Sequence, residues 1–276
     1  MLTLDIEMPR MDGLTFLKIL QEHRPIPVIV ISSISQSGSV AALTALEYGA
    51  VEVLAKPTSA YSIGQLGEQL PRHIKAAAAS RPRRRPADAA PAIVSRPAAG
   101  FHQRQIIAIT QHIPSYFSRA VAERIDGISA VEVREAAEGD MVAPGTALIA
   151  PGDFHMMLSW AGTGYKVSLN QRPPVHHCRP AVDVMFRSIS QCFGARVVCA
   201  VLTGMGHDGA MGMKMLKEIG ARTIAQDEEF SVVYGMPLAA VELGVVDRVL
   251  PLSKIPSALI EAAQAMSAAP LAECAA

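Results

Sequence analysis

The sequence has little of what secreted, membrane-spanning or nucleic-acid-binding proteins rely on. Its four cysteines form no C-x-x-C pair, so neither a disulfide framework nor a zinc ribbon is indicated in a chain of this size. Its 25 basic residues balance 25 acidic ones, which leaves no net field to attract nucleic acid or an anionic membrane. No apolar run approaches the roughly 20 residues of a membrane helix, so we expect no membrane insertion.

The first ten residues include Asp5, Glu7 and Arg10 and lack a basic stretch followed by an apolar one. A secretory signal peptide needs both of these regions. Together with the dispersed cysteines, this pattern favours a reducing compartment. We therefore expect a cytoplasmic location.

A segment rich in Ala, Pro and Arg divides the chain between residues 76 and 100. It contains Arg81-Pro82-Arg83-Arg84-Arg85-Pro86 and almost nothing that could pack into a core. We interpret it as a solvated linker, the alternative being a basic patch for nucleic acid or an acidic partner. The prediction is a first domain at residues 1–75, a linker at 76–100, a second domain at 101–265 and a tail at 266–276.

Apolar strand patterns alternate with helical patterns in both predicted domains, which indicates parallel sheets covered by helices. In the first domain, strands are predicted at 2–6, 28–31 and 51–55, with helices at 13–22 and 40–48. In the second, strands are predicted at 105–110, 131–136, 146–150, 197–202 and 223–226, with helices at 116–125, 181–193 and 210–219. Both domains are expected to be α/β, the second doubly wound and mostly parallel.

Asp5, Ser32 and Lys56 each end or follow a predicted strand of the first domain. The carboxyl ends of parallel strands lie at one edge of a sheet, where such folds place their chemistry. An Asp can accept a phosphoryl group when a cation and a divalent metal offset the charge, and a nearby hydroxyl can sense the new oxygens. Each residue alone also has an ordinary structural explanation, as a strand end, a loop start or a solvated charge.

Three runs resemble the response-regulator receiver family: LDIEMPRMDG at 4–13, IVIS at 29–32 and Lys56-Pro57. The resemblance implies a flavodoxin-like domain in which Asp5 accepts a phosphoryl group from a histidine kinase and binds Mg²⁺. It also implies that Ser32 is the switch hydroxyl and Lys56 the conserved cation. Receivers carry an earlier βαβ segment with a metal-binding acidic pair, and we expect that segment to be missing before Met1, so that Mg²⁺ binding is weakened.

His112 and Asp208 also follow predicted strands, in the runs QHIP at 111–114 and TGMGHDG at 203–209. A neutral imidazole can take a proton from a nucleophile and return it to a leaving group, while a buried carboxylate fixes its tautomer. The two residues are therefore a candidate catalytic pair. Spacing alone leaves equal room for a helix-capping His112 and an Asp208 that merely belongs to a turn.

Four runs resemble the chemotaxis protein-glutamate methylesterase/protein-glutamine glutaminase family: QHIP at 111–114, IAPGDFHM at 149–156, LTGMGHDG at 202–209, and AQDE at 225–228 continuing to YGMP at 234–237. The resemblance implies a hydrolase that needs no cofactor and removes methyl esters from chemoreceptor glutamates, often also deamidating glutamines. It further implies a receiver, phosphorylated by the chemotaxis histidine kinase, that controls access to the site. His112 and Asp208 match the family's base and orienting acid.

The family's nucleophilic serine has no counterpart in the sequence. Where the family has a Gly-Ala-Ser-Thr-Gly-Gly turn, the strand at 106–109 runs directly into Thr110-Gln111-His112, as if one βα unit were missing. Loss of such a serine costs on the order of 10⁶ in turnover, so we expect impaired activity. Two alternatives stay open: Ser115 or Ser118 acts as a relocated nucleophile, or the chain is a catalytically inactive adaptor that binds receptors or the kinase.

Cys178 and Ala181 are a further departure, because the family usually has His and Ser at these positions. The cluster His176-His177-Cys178 could be combined with His207-Asp208 into a metal site. Adjacent side chains on one segment rarely converge on a tetrahedral ion. We therefore expect no metal at this cluster.

Overall fold

The computed structural model describes residues 1–33, 36–57, 60–80, 105–115, 117–192 and 196–268. The strands are β1 (Leu2–Asp5), β2 (Val28–Ser32), β3 (Glu52–Ala55), β4 (Ile107–Ile109), β5 (Glu132–Glu135), β6 (Thr146–Ile149), β7 (His155–Trp160), β8 (Tyr165–Asn170), β9 (Val198–Val201), β10 (Arg222–Gln226) and β11 (Arg248–Leu250). The helices are α1 (Gly13–His23), α2 (Gln36–Glu47), α3 (Ala60–Ala79), α4 (Phe117–Asp126), α5 (Val182–Ser190), α6 (Ala210–Glu218), α7 (Met236–Glu242) and α8 (Ile255–Ala268). Within these ranges, no helix has the length and apolar character that a membrane crossing requires.

Residues 1–80, here called the N-terminal unit, form a parallel three-stranded sheet in the order β1-β2-β3. The central strand β2 pairs Val28 with Leu2 on one side and Ile29 with Glu52 on the other. Val28, Ile29 and Val30 have no exposed surface, because helices cover both faces of a parallel sheet and bury its apolar strands. All three carboxyl ends lie at one edge of the sheet.

The loop after β1 is held in place by the start of α1. Asp12 caps this helix by accepting a hydrogen bond from the Thr15 N–H at 2.9 Å. A Cβ atom on Gly13 would lie 2.2 Å from the Asp5 carbonyl oxygen, so only glycine allows the helix to approach the strand this closely. The position of Asp5 therefore depends on Gly13.

Helix α3 continues through residues 76–79, which the sequence assigns to the linker. Ala77 is buried and packs with Ile29 and Leu54, since an alanine-rich stretch favours helix and fits a close contact. The packed unit thus extends past the predicted boundary at residue 75. The Arg-Pro run at 81–86 and the tail from residue 269 lie outside the described residues.

Residues 105–268, here called the C-terminal unit, contain two parallel three-stranded sheets in the orders β4-β6-β5 and β11-β10-β9. An antiparallel hairpin, β7-β8, separates them along the chain. The predicted parallel strands are present with slightly shifted ends, whereas the hairpin, α3, α7, β11 and α8 were not predicted. Helix α2 begins earlier than predicted, at Gln36, because its first turn is polar and shows no apolar spacing.

One apolar cluster connects the sheets, the hairpin and helices α5 to α7 of the C-terminal unit. Leu148 of β6, Met156 of β7 and Met213 of α6 have no exposed surface in this cluster. Strand β6 is buried along its whole length, as expected for a strand paired on both sides. The ends of β4 and β9 are thereby fixed relative to each other.

The two units contact each other through α2 and α4. Phe117 opens α4 and packs, 3 % exposed, in the apolar cluster of the N-terminal unit, against which Ile113 also packs. Arg124 and Glu47 form an ion pair at the same contact. The chain segment directly after His112 is therefore anchored on the N-terminal unit.

Leu148→Ala should lower the free energy of unfolding by about 2–5 kcal/mol, because truncating a fully buried leucine leaves a cavity. Leu252→Ala is the matched control, since Leu252 is 48 % exposed and its truncation should cost less than about 0.5 kcal/mol. Urea denaturation followed by circular dichroism measures both values. Equal costs for the two variants would contradict the central place of Leu148.

Candidate active site

The carboxylate of Asp208 is almost completely buried, with 1 % of the residue exposed. It accepts a hydrogen bond from His112 Nε2 at 2.7 Å, from the Val182 N–H at 2.7 Å and from the Asp183 N–H at 2.9 Å. A charge can be buried when it is paired and hydrogen-bonded. The three donors therefore hold Asp208 in place as an ionised group.

Two of these donors show that Asp208 also caps helix α5. The N-cap residue Ala181 has no side chain that can accept a hydrogen bond, although the first N–H groups of a helix need external partners. Asp208 accepts from the N–H groups of Val182 and Asp183. The positive end of the helix dipole stabilises the carboxylate in return.

A glycine-rich turn carries Asp208 from β9 to α6. Gly209 has a φ of +91°, and a Cβ atom there would lie 2.8 Å from Val182 Cγ1. Gly204 donates its N–H to the Val233 carbonyl at 3.0 Å, which ties the turn to the segment before α7. Gly209 therefore lets Asp208 approach the start of α5.

His112 follows the carboxyl end of β4, and its side chain is 23 % exposed. One part of the ring thus faces the buried Asp208 and another part is open to solvent. Gly152, in the loop after β6, packs against the same segment, because a Cβ atom on it would lie 2.4 Å from the Ser115 nitrogen. The ends of β4, β6 and β9 therefore enclose His112 and Asp208 together.

His112 and Asp208 each stabilise the charged form of the other. Burial opposes a charged imidazole, but the hydrogen bond to Asp208 and the interactions with Cys178 outweigh it and raise the pKa of His112 to about 10. Burial also opposes ionisation of Asp208, but the hydrogen bonds from His112 and two backbone N–H groups lower its pKa below the usual value. At neutral pH the resting pair is an imidazolium and a carboxylate, so His112 must lose its proton before it can accept one.

A second His–Asp pair lies beside the first. His176 Nε2 and Asp183 Oδ2 are 2.8 Å apart, and Asp183 Oδ1 accepts the Gly212 N–H at 2.6 Å. The His176 ring meets the His207 ring edge-on, with centroids 4.3 Å apart. The sequence does not predict this pairing, because a turn and the start of α5 decide whether the two side chains meet.

Two overlapping groups of possible metal ligands meet at Asp208, and in each the donor atoms lie within 4.8 Å of one another: His112, Cys178 and Asp208, and His176, Asp183 and Asp208. His176 and Cys178 belong to different groups, so these near neighbours do not converge on one point. The Nε2 atoms of His112 and His176 each face a carboxylate as hydrogen-bond partner. A nitrogen that donates in this way has no lone pair to offer a metal.

The hydroxyl of Ser118 is buried and occupied by hydrogen bonds within the fold. Ser118 has no exposed surface, and its Oγ donates to Glu135 and accepts the Gly152 N–H at 3.0 Å. It therefore supports the loop that packs beside His112. Ser115 lies in the turn before α4, with its backbone against Gly152.

The N-terminal unit places a lysine against two carboxylates at the edge of its sheet. Lys56 Nζ lies 2.9 Å from Asp5 Oδ2 and 3.5 Å from Glu7 Oε2. Ser32 is buried at the end of β2, and its neighbour Ser33 donates to Glu7 Oε1 at 3.1 Å. Sequence reasoning missed Glu7 and Ser33, although each is close in sequence to a predicted site residue.

Burial opposes ionisation of Asp5, but the hydrogen bond from Lys56 and nearby backbone N–H groups lower the pKa of this carboxyl. The hydrogen bond to Asp5 in turn raises the pKa of Lys56. Mg²⁺ binds proteins through one or two carboxylates, completed by water and phosphate oxygens. Asp5 and Glu7 fit that minimal set, with Lys56 competing for the same oxygens.

Comparisons with known protein families match both units. The CheB methylesterase family matches residues 97–259, and the response regulator receiver domain matches residues 1–66.

Similar proteins are named protein-glutamate methylesterase/protein-glutamine glutaminase 2. The one from Syntrophus aciditrophicus is 41 % identical, covering 94 % of this chain and 84 % of its own length. The one from Pseudomonas aeruginosa is 44 % identical, covering 95 % and 83 %. The crystal structure of the Thermotoga maritima CheB methylesterase catalytic domain aligns with a TM-score of 0.55 and 39 % identity, over 56 % of this chain and 82 % of that chain.

The stability lost in His112→Gln should shrink as the pH rises. Because the folded state raises the pKa of His112 to about 10, the pair contributes fully below the ordinary pKa of about 6.5 and loses its contribution between there and about 10. The difference in unfolding free energy between wild type and variant should fall by up to about 5 kcal/mol over this window.

Chemical denaturation at several pH values across this window measures the difference. His23→Gln is the control, because His23 is exposed in the last turn of α1 and its replacement should show no such trend. A difference for His112→Gln that does not change with pH would contradict the strongly stabilised imidazolium.

Proposed function

Because the chain belongs to the CheB methylesterase family, we propose that it hydrolyses glutamate methyl esters on chemoreceptors and also deamidates glutamines there. The observation that supports this most directly is the 2.7 Å hydrogen bond between His112 and Asp208. The names of the similar proteins describe the same two reactions. Both reactions transfer an acyl group to water, with methanol or ammonia as the leaving group.

His112 is the residue proposed to move protons. In its neutral form the imidazole takes a proton from the attacking group and passes it to the departing methanol or ammonia. Asp208 orients the ring through Nε2 and stabilises the imidazolium that forms. Since Asp208 is buried, solvent screens this support little.

We expect slow turnover, because the family's nucleophilic serine is missing. Removing the serine of a triad lowers kcat by on the order of 10⁶. Methanol release with no enzymatic component would leave the alternative of a catalytically inactive adaptor that binds receptors or the kinase.

The N-terminal unit is proposed to be a receiver that controls the hydrolase. Asp5 accepts the phosphoryl group from the chemotaxis histidine kinase, Lys56 pairs with the added charge, and Ser32 acts as the switch hydroxyl. Asp5 and Glu7 would hold Mg²⁺ weakly, and the bound ion supplies charge neutralisation during phosphoryl transfer.

We keep the proposed division into a receiver at residues 1–75, a linker at 76–100, a methylesterase domain at 101–265 and a tail at 266–276, with the end of α3 extending the packing of the receiver into the start of the linker. A cytoplasmic location suits the free thiols of Cys178, Cys192 and Cys199. The packing of Ile113 and Phe117 on the N-terminal unit offers a physical route from the receiver to the segment that carries His112.

His112→Ala should lower the rate of methanol release from methylated chemoreceptor by at least about 100-fold, because no other group is proposed to relay the proton. Release of labelled methanol from receptor-containing membranes measures the rate. His23→Ala is the matched control and should retain the wild-type rate. A wild-type rate in His112→Ala would remove the pair from the mechanism.

Asp5→Asn should abolish phosphorylation of the chain by acetyl phosphate in the presence of Mg²⁺, because the amide cannot form the acyl phosphate. The mass of the intact protein reports the incorporation, which should be low in the wild type and lost on addition of a chelator. Glu123→Gln changes an exposed acid of α4 and should leave incorporation unchanged. Incorporation that survives Asp5→Asn would place the phospho-acceptor elsewhere.

A further inference from the structure

Three hydroxyl groups on the segments around His112 have other partners. Thr110 Oγ1 contacts Met185 Sδ at 3.2 Å, and Ser118 Oγ bridges Glu135 and Gly152. Thr203 Oγ1 donates to the Val233 carbonyl at 3.1 Å and accepts its N–H at 2.9 Å. These hydroxyls stabilise loops and are not directed at the imidazole.

The thiol of Cys178 lies beside His112 and Asp208, where a nucleophile would have to be. The Sγ atom of Cys178, a ring nitrogen of His112 and a carboxylate oxygen of Asp208 all lie within 4.8 Å of one another. Cys178 is half-buried, so its sulfur is close to the buried pair without being sealed from solvent. Its Sγ also lies 3.5 Å from the His176 carbonyl, a weak contact for a thiol.

A tight turn presents Cys178 to this site. Val175 and Cys178 exchange backbone hydrogen bonds of 3.0 and 2.8 Å, and the two residues between them, His176 and His177, have φ values of 52° and 65°. Residues other than glycine rarely adopt this left-handed backbone region. The hydrogen bond between His176 and Asp183 holds the turn against the start of α5.

We propose that Cys178 is the nucleophile of this hydrolase and forms a Cys–His–Asp triad with His112 and Asp208. The proposal rests on the proposed function and names the group that replaces the missing serine. Thiolates next to an imidazolium are strong nucleophiles near neutral pH. A resting imidazolium at His112, which would prevent it from activating a serine, is the form that favours a neighbouring thiolate.

The reaction balances without a further reagent. The sulfur of Cys178, with its proton already on the His112 imidazolium, bonds to the carbonyl carbon of the glutamyl methyl ester, and the carbon–oxygen bond to methoxide breaks. Methoxide takes the proton from His112 and leaves as methanol. Water then attacks the thioester and gives one proton to His112, and the carbon–sulfur bond breaks to restore the Cys178 thiolate beside the imidazolium. The released glutamyl carboxyl group loses its remaining proton to solvent.

The other described cysteines provide internal references for this proposal. Burial raises the pKa of Cys192 to about 11 and that of Cys199 to about 12, so neither forms a thiolate at neutral pH. Neither belongs to the group of side chains whose donor atoms lie within 4.8 Å of one another around His112. Cys274 lies outside the described residues and is replaced by Ser in all proteins used for the test.

The test combines alkylation with turnover. Iodoacetamide at neutral pH, followed by peptide mass spectrometry, should modify Cys178 at least about tenfold faster than Cys192 or Cys199 in the folded protein, and His112→Ala should remove this advantage. Cys178→Ala should lower methanol release by at least about 100-fold, whereas the matched Cys192→Ser should keep the wild-type rate. Quenched reactions should yield a hydroxylamine-sensitive adduct on Cys178.

Three outcomes would overturn the proposal. The first is unchanged methanol release in Cys178→Ala, which would leave the proposed function standing with another nucleophile. The second is alkylation of Cys178 at a rate that does not depend on His112. The third is a thiol that reacts only after chelation, with activity restored by Zn²⁺, which would make Cys178 a metal ligand.

The same measurements distinguish failure of the proposed function from failure of the Cys178 proposal. Wild-type protein that releases no methanol, yet shows His112-dependent alkylation, would retain the activated thiol and refute the hydrolase. A folding defect in Cys178→Ala, detected by thermal denaturation, would not affect the alkylation result, because that measurement uses the unsubstituted Cys178.

Discussion

The arrangement of the C-terminal unit depends on the buried carboxylate of Asp208. It accepts hydrogen bonds from His112 after β4 and from two backbone N–H groups at the start of α5, so three segments far apart in sequence meet at one charge. Breaking a buried charge pair by removing one partner typically costs about 3–5 kcal/mol. His112, Asp208 and helix α5 are therefore stabilised together, and Gly209 allows the backbone to approach closely enough for them to meet.

In the N-terminal unit, by contrast, the charged pair is exposed to solvent. The side chains of Asp5 and Lys56 are 40 % and 33 % exposed, so water and salt screen their attraction and the pair can rearrange at little cost. Such a site suits a charge that is added and removed reversibly. The two sites are connected physically through Ile113 and Phe117, which follow His112 and pack on the N-terminal unit.

Much of the fold could be predicted because parallel strands in α/β proteins carry local signals. The apolar runs that became β2, β6 and β9 are short, continuous and followed by polar or glycine-rich turns. The hairpin β7-β8 escaped prediction because His155–Trp160 mixes apolar and polar residues without a clear period. Helix α3 escaped it because its start follows a Lys-Pro stop and its end is continuous in composition with the linker.

By itself, the sequence determined the α/β class, the family resemblance and the residues that end strands, among them Asp5, Lys56, His112 and Asp208. Each of these follows from local patterns and short motifs. Only the tertiary structure decided which of these side chains touch, and it placed Cys178 beside His112 and Asp208. That proximity depends on a turn with two left-handed residues and on the docking of α5 against Asp208. Periodicity encodes neither, since the turn is an irregular local conformation and the docking joins distant segments.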